Sequence, residues 1–171
     1  MTNPQVALIT GSSRGIGLGI ACELARKNYS IALNAPFLDE ELEAAMAKVQ
    51  KLGVPVIAAA FDVTDIDRHT ECLSNIESQL GPLTTLVNNA GVSVLQRGDL
   101  LAVSPESFDR CMNVNAKAVF FLSQAFSKKI LSRELNPDIF HSLINVTSSN
   151  AVAAATLRSE YCASKAAAAM I

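Results

Sequence analysis

The sequence lacks an excess of charge of either sign, a long apolar run and any paired cysteine spacing. Its 14 lysines and arginines stand against 16 aspartates and glutamates, a net charge of −2, and the basic residues are scattered along the chain. This distribution gives no electrostatic footprint for nucleic acid. Every apolar run is too short to span a bilayer. We therefore expect a small-molecule partner, and neither nucleic acid nor a membrane.

The four cysteines are far apart and none has the spacing of a zinc site. Reduced, buried thiols are the expectation for residues of this kind. The two histidines, His69 and His141, are also isolated in sequence, so each is expected to be a surface or packing residue. We predict no metal site. The cysteines are Cys22, Cys72, Cys111 and Cys162.

The chain has 171 residues, half of them hydrophobic. This length is enough for one domain with a sizeable core, and we predict a single domain over residues 1–171. The first residues, MTNPQVALIT, have no charged flank, long apolar core or small-residue cleavage site. We therefore expect no secretory signal and a cytoplasmic location.

Short apolar runs alternate with helical patterns along the whole chain. This alternation is typical of strand–helix–strand units around a parallel sheet. Because the runs are almost entirely apolar, we expect strands that are covered on both faces. The predicted strands are Gln5–Thr10, Ser30–Asn34, Val54–Phe61, Leu83–Asn88 and Ser142–Thr147.

Two helices have clear boundary signals. An apolar stripe over Leu42–Leu52 predicts a helix that ends at Gly53. In the letters SPES, Ser104 is suited to cap a helix and Pro105 to occupy its first position. This second helical pattern continues to about Leu131.

The first predicted strand runs into the letters TGSSRGIG and then into an amphipathic helix. Glycines at such a turn let the backbone approach a pyrophosphate, and the helix N-terminus attracts its charge. Gly11, Gly15 and Gly17 have the spacing G-x-x-x-G-x-G. A tight turn alone would explain these glycines, but their place between strand and helix favours phosphate binding.

Polar or glycine-rich letters follow the other predicted strands as well. They are Asn34–Ala35, Asp62, Asn88–Gly91 and Ser148. Because the carboxyl ends of parallel strands lie on the same edge of a sheet, we expect these residues at one crevice, where such folds bind ligands. Turn chemistry would explain any one of them.

Tyr161 and Lys165 stand four positions apart in the letters YCASK. On a helix they lie on one face. A tyrosine in water is a poor acid–base catalyst at neutral pH. A nearby ammonium favours the phenolate, so the pair is suited to proton exchange with a substrate oxygen.

Taken together, these motifs resemble those of the short-chain dehydrogenase/reductase family. The sequence carries T-G-x-x-x-G-x-G, N-N-A-G, Asn115 in NVNAKAVF, and Ser148 thirteen positions before Tyr161. The resemblance covers essentially the whole chain and is nearest to reductases of the 3-oxoacyl-carrier-protein type. It implies an α/β fold: a Rossmann-type, doubly wound parallel sheet in three α/β/α layers, here lacking the family's last two strands.

The resemblance also implies roles for individual residues. Tyr161 would exchange the proton, Lys165 would hold the nicotinamide ribose, Ser148 would orient the carbonyl, and Asn115 would position a water in a proton relay. Asp62 and Val63 would flank the adenine. The residues implied in cofactor binding are Gly11, Ser13, Arg14, Gly15, Ile16, Gly17, Asp62, Val63, Asn89, Ala90, Gly91, Tyr161 and Lys165.

Each of these residues also has a simpler explanation. Asn115 would serve equally to cap a local bend, and Ser148 to form a turn. An isolated Y-x-x-x-K is most often a surface pair. Thr84 stands where the family usually carries aspartate, a departure that we expect to affect packing rather than chemistry.

The second strand supplies the signal for the form of the cofactor. An acidic residue at its end would bind the adenosine ribose of NAD and repel the phosphate of NADP. Ala35 and Pro36 occupy this place, and the Arg14 guanidinium is suited to the phosphate. The sequence therefore favours NADP, with NAD as the alternative because Asp39 and Glu40 lie nearby.

The sequence predicts an NADP-dependent oxidoreductase acting on a ketone or secondary alcohol, with a 3-oxoacyl thioester as one candidate. A non-catalytic nucleotide-binding module and an inactive fragment are the alternatives. Family members continue beyond the Tyr–Lys helix, so we expect this chain to be part of a longer protein. The resemblance also implies a homodimer or homotetramer formed through the helix over 104–131 and the Tyr–Lys helix.

Overall fold

The fold is known from a computed structural model that describes residues 5–134 and 136–171. Residues 1–4, which begin the segment predicted to lack a secretory signal, lie outside the described residues. Among the described residues, five strands form one parallel sheet in the order β3-β2-β1-β4-β5. The strands are β1 (Val6–Ile9), β2 (Ser30–Ala35), β3 (Val56–Ala60), β4 (Leu83–Asn88) and β5 (Ser142–Asn145).

In the described part of the chain, six α-helices connect and follow the strands. They are α1 (Gly15–Arg26), α2 (Glu40–Gln50), α3 (His69–Leu80), α4 (Pro105–Met112), α5 (Ala118–Leu131) and α6 (Ser159–Ala169). The Ser104 side chain caps α4, as predicted. The predicted helix over 104–131 is interrupted by one wider π-helical turn, Asn113–Lys117, which joins α4 to α5.

Alternating side chains of the strands enter two separate cores. Val6 and Leu8 of β1 belong to the core that also includes Leu73 of α3 and Leu122 of α5. Their neighbours Ala7 and Ile9 belong to the core with buried residues of α1 and α2. The sheet is therefore covered by helices on both faces, which confirms the predicted three-layer, Rossmann-type architecture.

The prediction that every strand is covered on both faces is wrong for β5. Strands β1, β2 and β4 are fully buried, whereas Leu143 and Ile144 of β5 are 38% and 47% exposed. The strand order contributes, because β5 pairs only with β4 among the described strands; β3, the other edge strand, pairs only with β2 and is also only partly buried. An apolar run specifies a strand, but it does not specify whether neighbours cover it.

Thr84 accounts for a local irregularity between β1 and β4. Its hydroxyl accepts a hydrogen bond from the Val6 amide at 3.1 Å and donates one to the Val6 carbonyl at 3.1 Å. The register of the two strands shifts between Val6 and Ala7. Thr84 is buried, and in this structure its side chain serves strand pairing.

The strand order creates a crevice at the carboxyl edge of the sheet. The chain proceeds from β1 to β2 and β3 on one side, and β4 and β5 lie on the other side of β1. Loops that leave β1 and β4 therefore diverge in opposite directions. Ligands of open α/β sheets bind at such a switch point.

The cysteines and histidines differ in burial. Cys22 and Cys111 are buried, Cys72 and Cys162 are half-buried, and all four are free thiols, so the expectation of burial holds for two of them. His69 is buried, and its Nε2 lies 2.8 Å from the Val63 carbonyl. Within residues 5–134 and 136–171, no cluster of three metal-ligating side chains occurs, and no helix has the length and apolarity needed to cross a membrane.

Candidate functional site

A cleft of about 470 Å³ lies along the carboxyl ends of β3, β2, β1 and β4. Its volume is within the range of small-molecule and cofactor sites. Nine residues implied in cofactor binding line it: Gly11, Ser13, Arg14, Ile16, Asp62, Val63, Asn89, Ala90 and Gly91. The sequence reasoning did not assign Phe61, Val92 and Val114, which also line the cleft.

The first turn of α1 faces this cleft with free backbone amides. Arg14 precedes the helix, and no side chain caps the turn within the described residues. Gly15 has a φ of +57°, a left-handed conformation that glycine adopts without strain. A β-carbon there would meet no atom within 4 Å, so the helix N-terminus is open to an anionic group.

Gly17 has a different role, because it faces the protein interior. A β-carbon at this position would lie 2.5 Å from the Asn89 side-chain nitrogen and 2.5 Å from the Gly11 carbonyl oxygen. Gly17 therefore allows α1 to pack against the loops after β1 and β4. Gly11 is constrained in the same way, because a β-carbon there would lie 2.8 Å from the Ala90 α-carbon, so of the three motif glycines only Gly15 faces open space within the described residues.

Asn34 ties together the ends of three strands, a role that sequence reasoning missed. Its side-chain oxygen accepts a hydrogen bond from the Gly11 amide at 3.1 Å. Its side-chain nitrogen donates to the carbonyls of Ala59 at 2.8 Å and Phe61 at 2.9 Å. Buried polar groups that are fully paired in this way hold a loop in one conformation. The signal was a polar residue in an otherwise apolar strand.

Asn89 makes the equivalent connection between β4 and β1. Its side-chain nitrogen donates to the carbonyls of Thr10 and Gly11, each at 2.9 Å. The Thr10 hydroxyl in turn accepts hydrogen bonds from the amides of Asn89 at 3.0 Å and Ala90 at 2.9 Å. The two loops at the switch point are thus fixed to each other by side chains of the T-G and N-N-A-G motifs.

Gly91, Asn115 and Lys165 meet at the β4 end of the cleft. A β-carbon on Gly91 would lie 3.3 Å from the Asn115 Oδ1 atom and 3.4 Å from the Lys165 Nζ atom. Lys165 Nζ also donates a hydrogen bond to the Val146 carbonyl, just after β5, at 3.1 Å. The structure therefore brings two predicted catalytic residues to the edge of the predicted cofactor cleft.

Asn115 lies in the π-helical turn and is completely buried. Its Oδ1 accepts from the Val92 amide at 2.8 Å, and its Nδ2 donates to the Val92 carbonyl at 2.9 Å and to the Ser164 hydroxyl at 2.9 Å. Ser164, missed from the sequence, donates to the Tyr161 carbonyl at 2.8 Å. The Asn115 side chain thus links the loop after β4 to α6.

Tyr161 and Lys165 lie on α6 with the predicted spacing, Tyr161 half-buried and Lys165 buried. Ser148 is half-buried, and its hydroxyl accepts a hydrogen bond from the Asn150 amide at 3.1 Å. That bond caps a short 3₁₀ turn, Ser149–Ala151, which contacts α6. All four residues implied in catalysis therefore belong to segments that meet around α6.

Burial of Lys165 lowers the pKa of its ammonium group below the usual value of 10.5. In the folded protein this group loses its proton at a lower pH than in the unfolded chain. Over that interval the unfolded state binds more protons, so the free energy of unfolding rises as the pH rises from the folded pKa towards 10.5.

Lys165→Met is expected to remove this alkaline gain in stability. Urea unfolding of both proteins, from neutral pH to about 10.5, should show a difference in unfolding free energy that changes with pH. The unchanged protein should gain stability relative to the variant as the pH rises. A constant difference across the range would show that the folded and unfolded pKa values are equal.

The Ser13–Arg14 segment carries the positive charge at the mouth of the cleft. Arg14 is 81% exposed, and its guanidinium pairs with the Glu41 carboxylate at 3.1 Å. The Ser13 hydroxyl donates to the other oxygen of the same carboxylate at 2.5 Å. Ala35 and Pro36 line the cleft beside them, and Asp39 instead caps α2 through the Leu42 amide.

These features fit a dinucleotide. The cleft passes the N-terminus of α1, where a pyrophosphate would meet amides that no side chain of the described residues caps, and it ends beside the buried Lys165. Residues implied at the adenine, Asp62 and Val63, lie on the β3 side, opposite Gly91.

Comparisons with known proteins agree with this architecture. A family model described as short chain dehydrogenase matches residues 5–171. A gluconate 5-dehydrogenase from Gluconobacter oxydans is 39% identical over 127 residues, which is 74% of this chain and 48% of that protein. The chain spans about half the length of the curated relatives it matches.

Solved structures give the same result. One is a 3-oxoacyl-[acyl-carrier protein] reductase from Brucella melitensis in complex with NAD, which superposes with a TM-score of 0.91 and is 35% identical in sequence. The superposition covers 98% of this chain and 64% of that chain. Another is a metagenomic short-chain oxidoreductase in complex with NADP, which superposes with a TM-score of 0.86 and is 29% identical in sequence. The superposition covers 97% of this chain and 72% of that chain. The predicted resemblance is thereby confirmed, and the chain belongs to the short-chain dehydrogenase family.

Proposed function

We propose that the protein catalyses hydride transfer between NADP and a ketone or secondary alcohol. The observation that carries this proposal is the position of Lys165, whose ammonium lies beside Gly91 at the end of the cleft. Because Tyr161 precedes it by one helical turn, the phenol is presented on the same face. The dinucleotide, when bound, supplies or accepts the hydride.

The residues of the chain supply proton transfer and positioning. In the reducing direction the Tyr161 phenol donates a proton to the carbonyl oxygen, and the Lys165 ammonium stabilises the resulting phenolate. Ser148 donates a hydrogen bond that orients the carbonyl. Asn115 holds Gly91 and Val92 against α6. As the family resemblance implies, Asn115 also positions a water in the relay that returns a proton to Tyr161.

A 3-oxoacyl thioester is the substrate class that we propose to test first. The support is the likeness to the Brucella 3-oxoacyl reductase, which extends over 98% of this chain. The gluconate 5-dehydrogenase relative makes a polyhydroxy acid the second class to test. Both classes present a carbonyl or a secondary alcohol to the same phenol.

We propose NADP as the preferred dinucleotide. The end of β2 carries Ala35, which is buried, and Pro36, so the common acidic ligand of the NAD ribose is missing there. Arg14 is largely exposed and lines the cleft. Guanidinium and phosphate form strong, charge-assisted pairs.

We also propose that the protein forms a homodimer or homotetramer through α4, α5 and α6. Phe108 of α4 and Phe120 of α5 are 44% and 49% exposed. Exposed aromatic side chains on adjacent helical segments are suited to pack against the same surface of a second subunit. Sedimentation velocity of the protein would give the state directly, and a monomer at all concentrations would contradict it.

The proposed activity is tested by following NADPH absorbance with a panel of ketones that includes a 3-oxoacyl thioester. We expect saturable NADPH binding and ketone-dependent oxidation. Binding without turnover on any ketone or, in reverse, on any secondary alcohol would favour a nucleotide-binding module. The absence of saturable binding would contradict both functions.

A further inference from the structure

The anion-binding residues at the mouth of the cleft are already paired with a carboxylate of the same chain. Glu41, in the first turn of α2, receives hydrogen bonds from Ser13 at 2.5 Å and from Arg14 at 3.1 Å. Each donor uses a different oxygen of Glu41. The carboxylate therefore occupies the donors that we assign to the 2′-phosphate of NADP.

The other acidic residues near the end of β2 do not compete in this way. Asp39 is engaged as the cap of α2, where its carboxylate accepts from the Leu42 amide at 2.9 Å. Glu40 is exposed and, in the described part of the chain, forms no ion pair with Arg14. The contact is specific to Glu41, although 28 positions separate it from Ser13 in the sequence.

A carboxylate at this place treats the two dinucleotides differently. The 2′-hydroxyl of NAD is a hydrogen-bond donor, which a carboxylate accepts. The 2′-phosphate of NADP is an anion that needs the same Ser13 and Arg14 donors and is repelled by the carboxylate. Glu41 is 44% exposed and Arg14 81% exposed, and ion pairs this accessible to water are weak enough for a ligand to displace.

We propose that Glu41 is a selectivity-determining residue, which reduces the preference of the Ser13–Arg14 site for NADP over NAD. This inference rests on the proposed function, since it requires the cleft to bind a nicotinamide dinucleotide. Glu41 competes with the 2′-phosphate, and it accepts a hydrogen bond from the ribose when NAD is bound. The chain thus carries a basic and an acidic determinant in contact with each other.

The experiment compares Glu41→Gln with a matched control, Glu40→Gln. Both substitutions remove one negative charge from the first turn of α2 and change the helix-dipole interaction alike. Dissociation constants for NADPH and NADH are measured by titration calorimetry on the full-length protein. Glu41→Gln should bind NADPH roughly tenfold more tightly, because a like charge is removed and Arg14 is freed. Binding of NADH should stay within about twofold or weaken.

The control distinguishes direct contact of the Glu41 carboxylate with Ser13 and Arg14 from the effect of any negative charge in the first turn of α2. Glu40→Gln should leave the ratio of the NADPH and NADH dissociation constants within about twofold of the unchanged protein. An equal change in the two variants, or an unchanged ratio in Glu41→Gln, would overturn the role of Glu41. In either case the unchanged protein would still bind a dinucleotide, and the proposed function would stand. If the unchanged protein binds neither dinucleotide, the proposed function fails and this inference with it.

Discussion

Replacing Tyr161 by phenylalanine is expected to lower the rate of carbonyl reduction about 10³-fold while dinucleotide binding stays close to that of the unchanged protein. The substitution removes only the phenolic oxygen, which is the atom assigned to proton transfer. Phenylalanine keeps the ring and therefore keeps the packing of a residue that is half-buried. The helix itself is held by contacts that do not involve this oxygen.

Those contacts are made by the neighbours of Tyr161. The Ser164 hydroxyl bonds to the Tyr161 carbonyl and receives a hydrogen bond from Asn115, and Lys165 reaches the Val146 carbonyl. Because all of them survive in the variant, loss of turnover would be separated from loss of structure. The measurement is single-turnover oxidation of NADPH, with the dissociation constant of NADPH determined in parallel.

Tyr29→Phe is the matched control. Tyr29 is the only other tyrosine in the sequence, and it immediately precedes β2, at the edge of the sheet opposite the cleft. Its substitution should leave the rate within about twofold, since it alters no group near the reacting atoms. A Tyr161→Phe protein that retains more than about a tenth of the rate would exclude this phenol as the main proton donor.

The sequence was sufficient to predict the layers of the fold, because the apolar runs and helical stripes record burial directly. It also located β4 to the residue, Leu83–Asn88. The predicted third and fifth strands, Val54–Phe61 and Ser142–Thr147, are shorter in the structure, at Val56–Ala60 and Ser142–Asn145. At these two strands apolar residues continue past the point where strand pairing ends, so composition overestimates their length, whereas β2 is one residue longer than predicted.

Contacts between residues far apart in the sequence could not be predicted from local sequence patterns. The π-helical turn that points Asn115 at Val92 was predicted as ordinary helix. Asp39 and Glu40 kept NAD as the alternative because they lie near the end of β2 in sequence, whereas Glu41 is the residue that contacts Arg14. Which acidic side chain of a helical turn faces a distant loop depends on how α2 packs against α1, and no local pattern encodes that angle.

The glycine motif illustrates the same difference. The sequence treated Gly11, Gly15 and Gly17 alike, as residues that let backbone approach a phosphate. In the structure Gly15 faces open space, whereas a β-carbon on Gly17 would collide with the backbone of Gly11 and the side chain of Asn89. A substitution at Gly17 should therefore lower the stability of the fold, and this effect should exceed any effect on ligand binding.

Gly17→Ala is expected to destabilise the protein by about 3 kcal/mol, a fall in Tm of about 10 °C. The added methyl would lie 2.5 Å from the Gly11 carbonyl oxygen and 2.9 Å from the Ser12 α-carbon, both backbone atoms that move only with the whole loop. To accommodate it, either α1 must shift away from the sheet or the Asn89 amide, 2.5 Å from the added methyl, must move and lose its bonds to Thr10 and Gly11. Urea and thermal unfolding measure the loss.

Gly19→Ala is the control on the same helix. Gly19 lies two positions further along α1, and a β-carbon there would meet nothing within 4 Å. Because alanine has the higher helix propensity, this variant should gain about 0.5–1 kcal/mol. The two substitutions are chemically identical, so opposite signs would show that close packing of α1 against the loops after β1 and β4 makes Gly17 necessary. Equal and small effects would instead mean that α1 adjusts without cost, and that the motif glycine serves only the ligand.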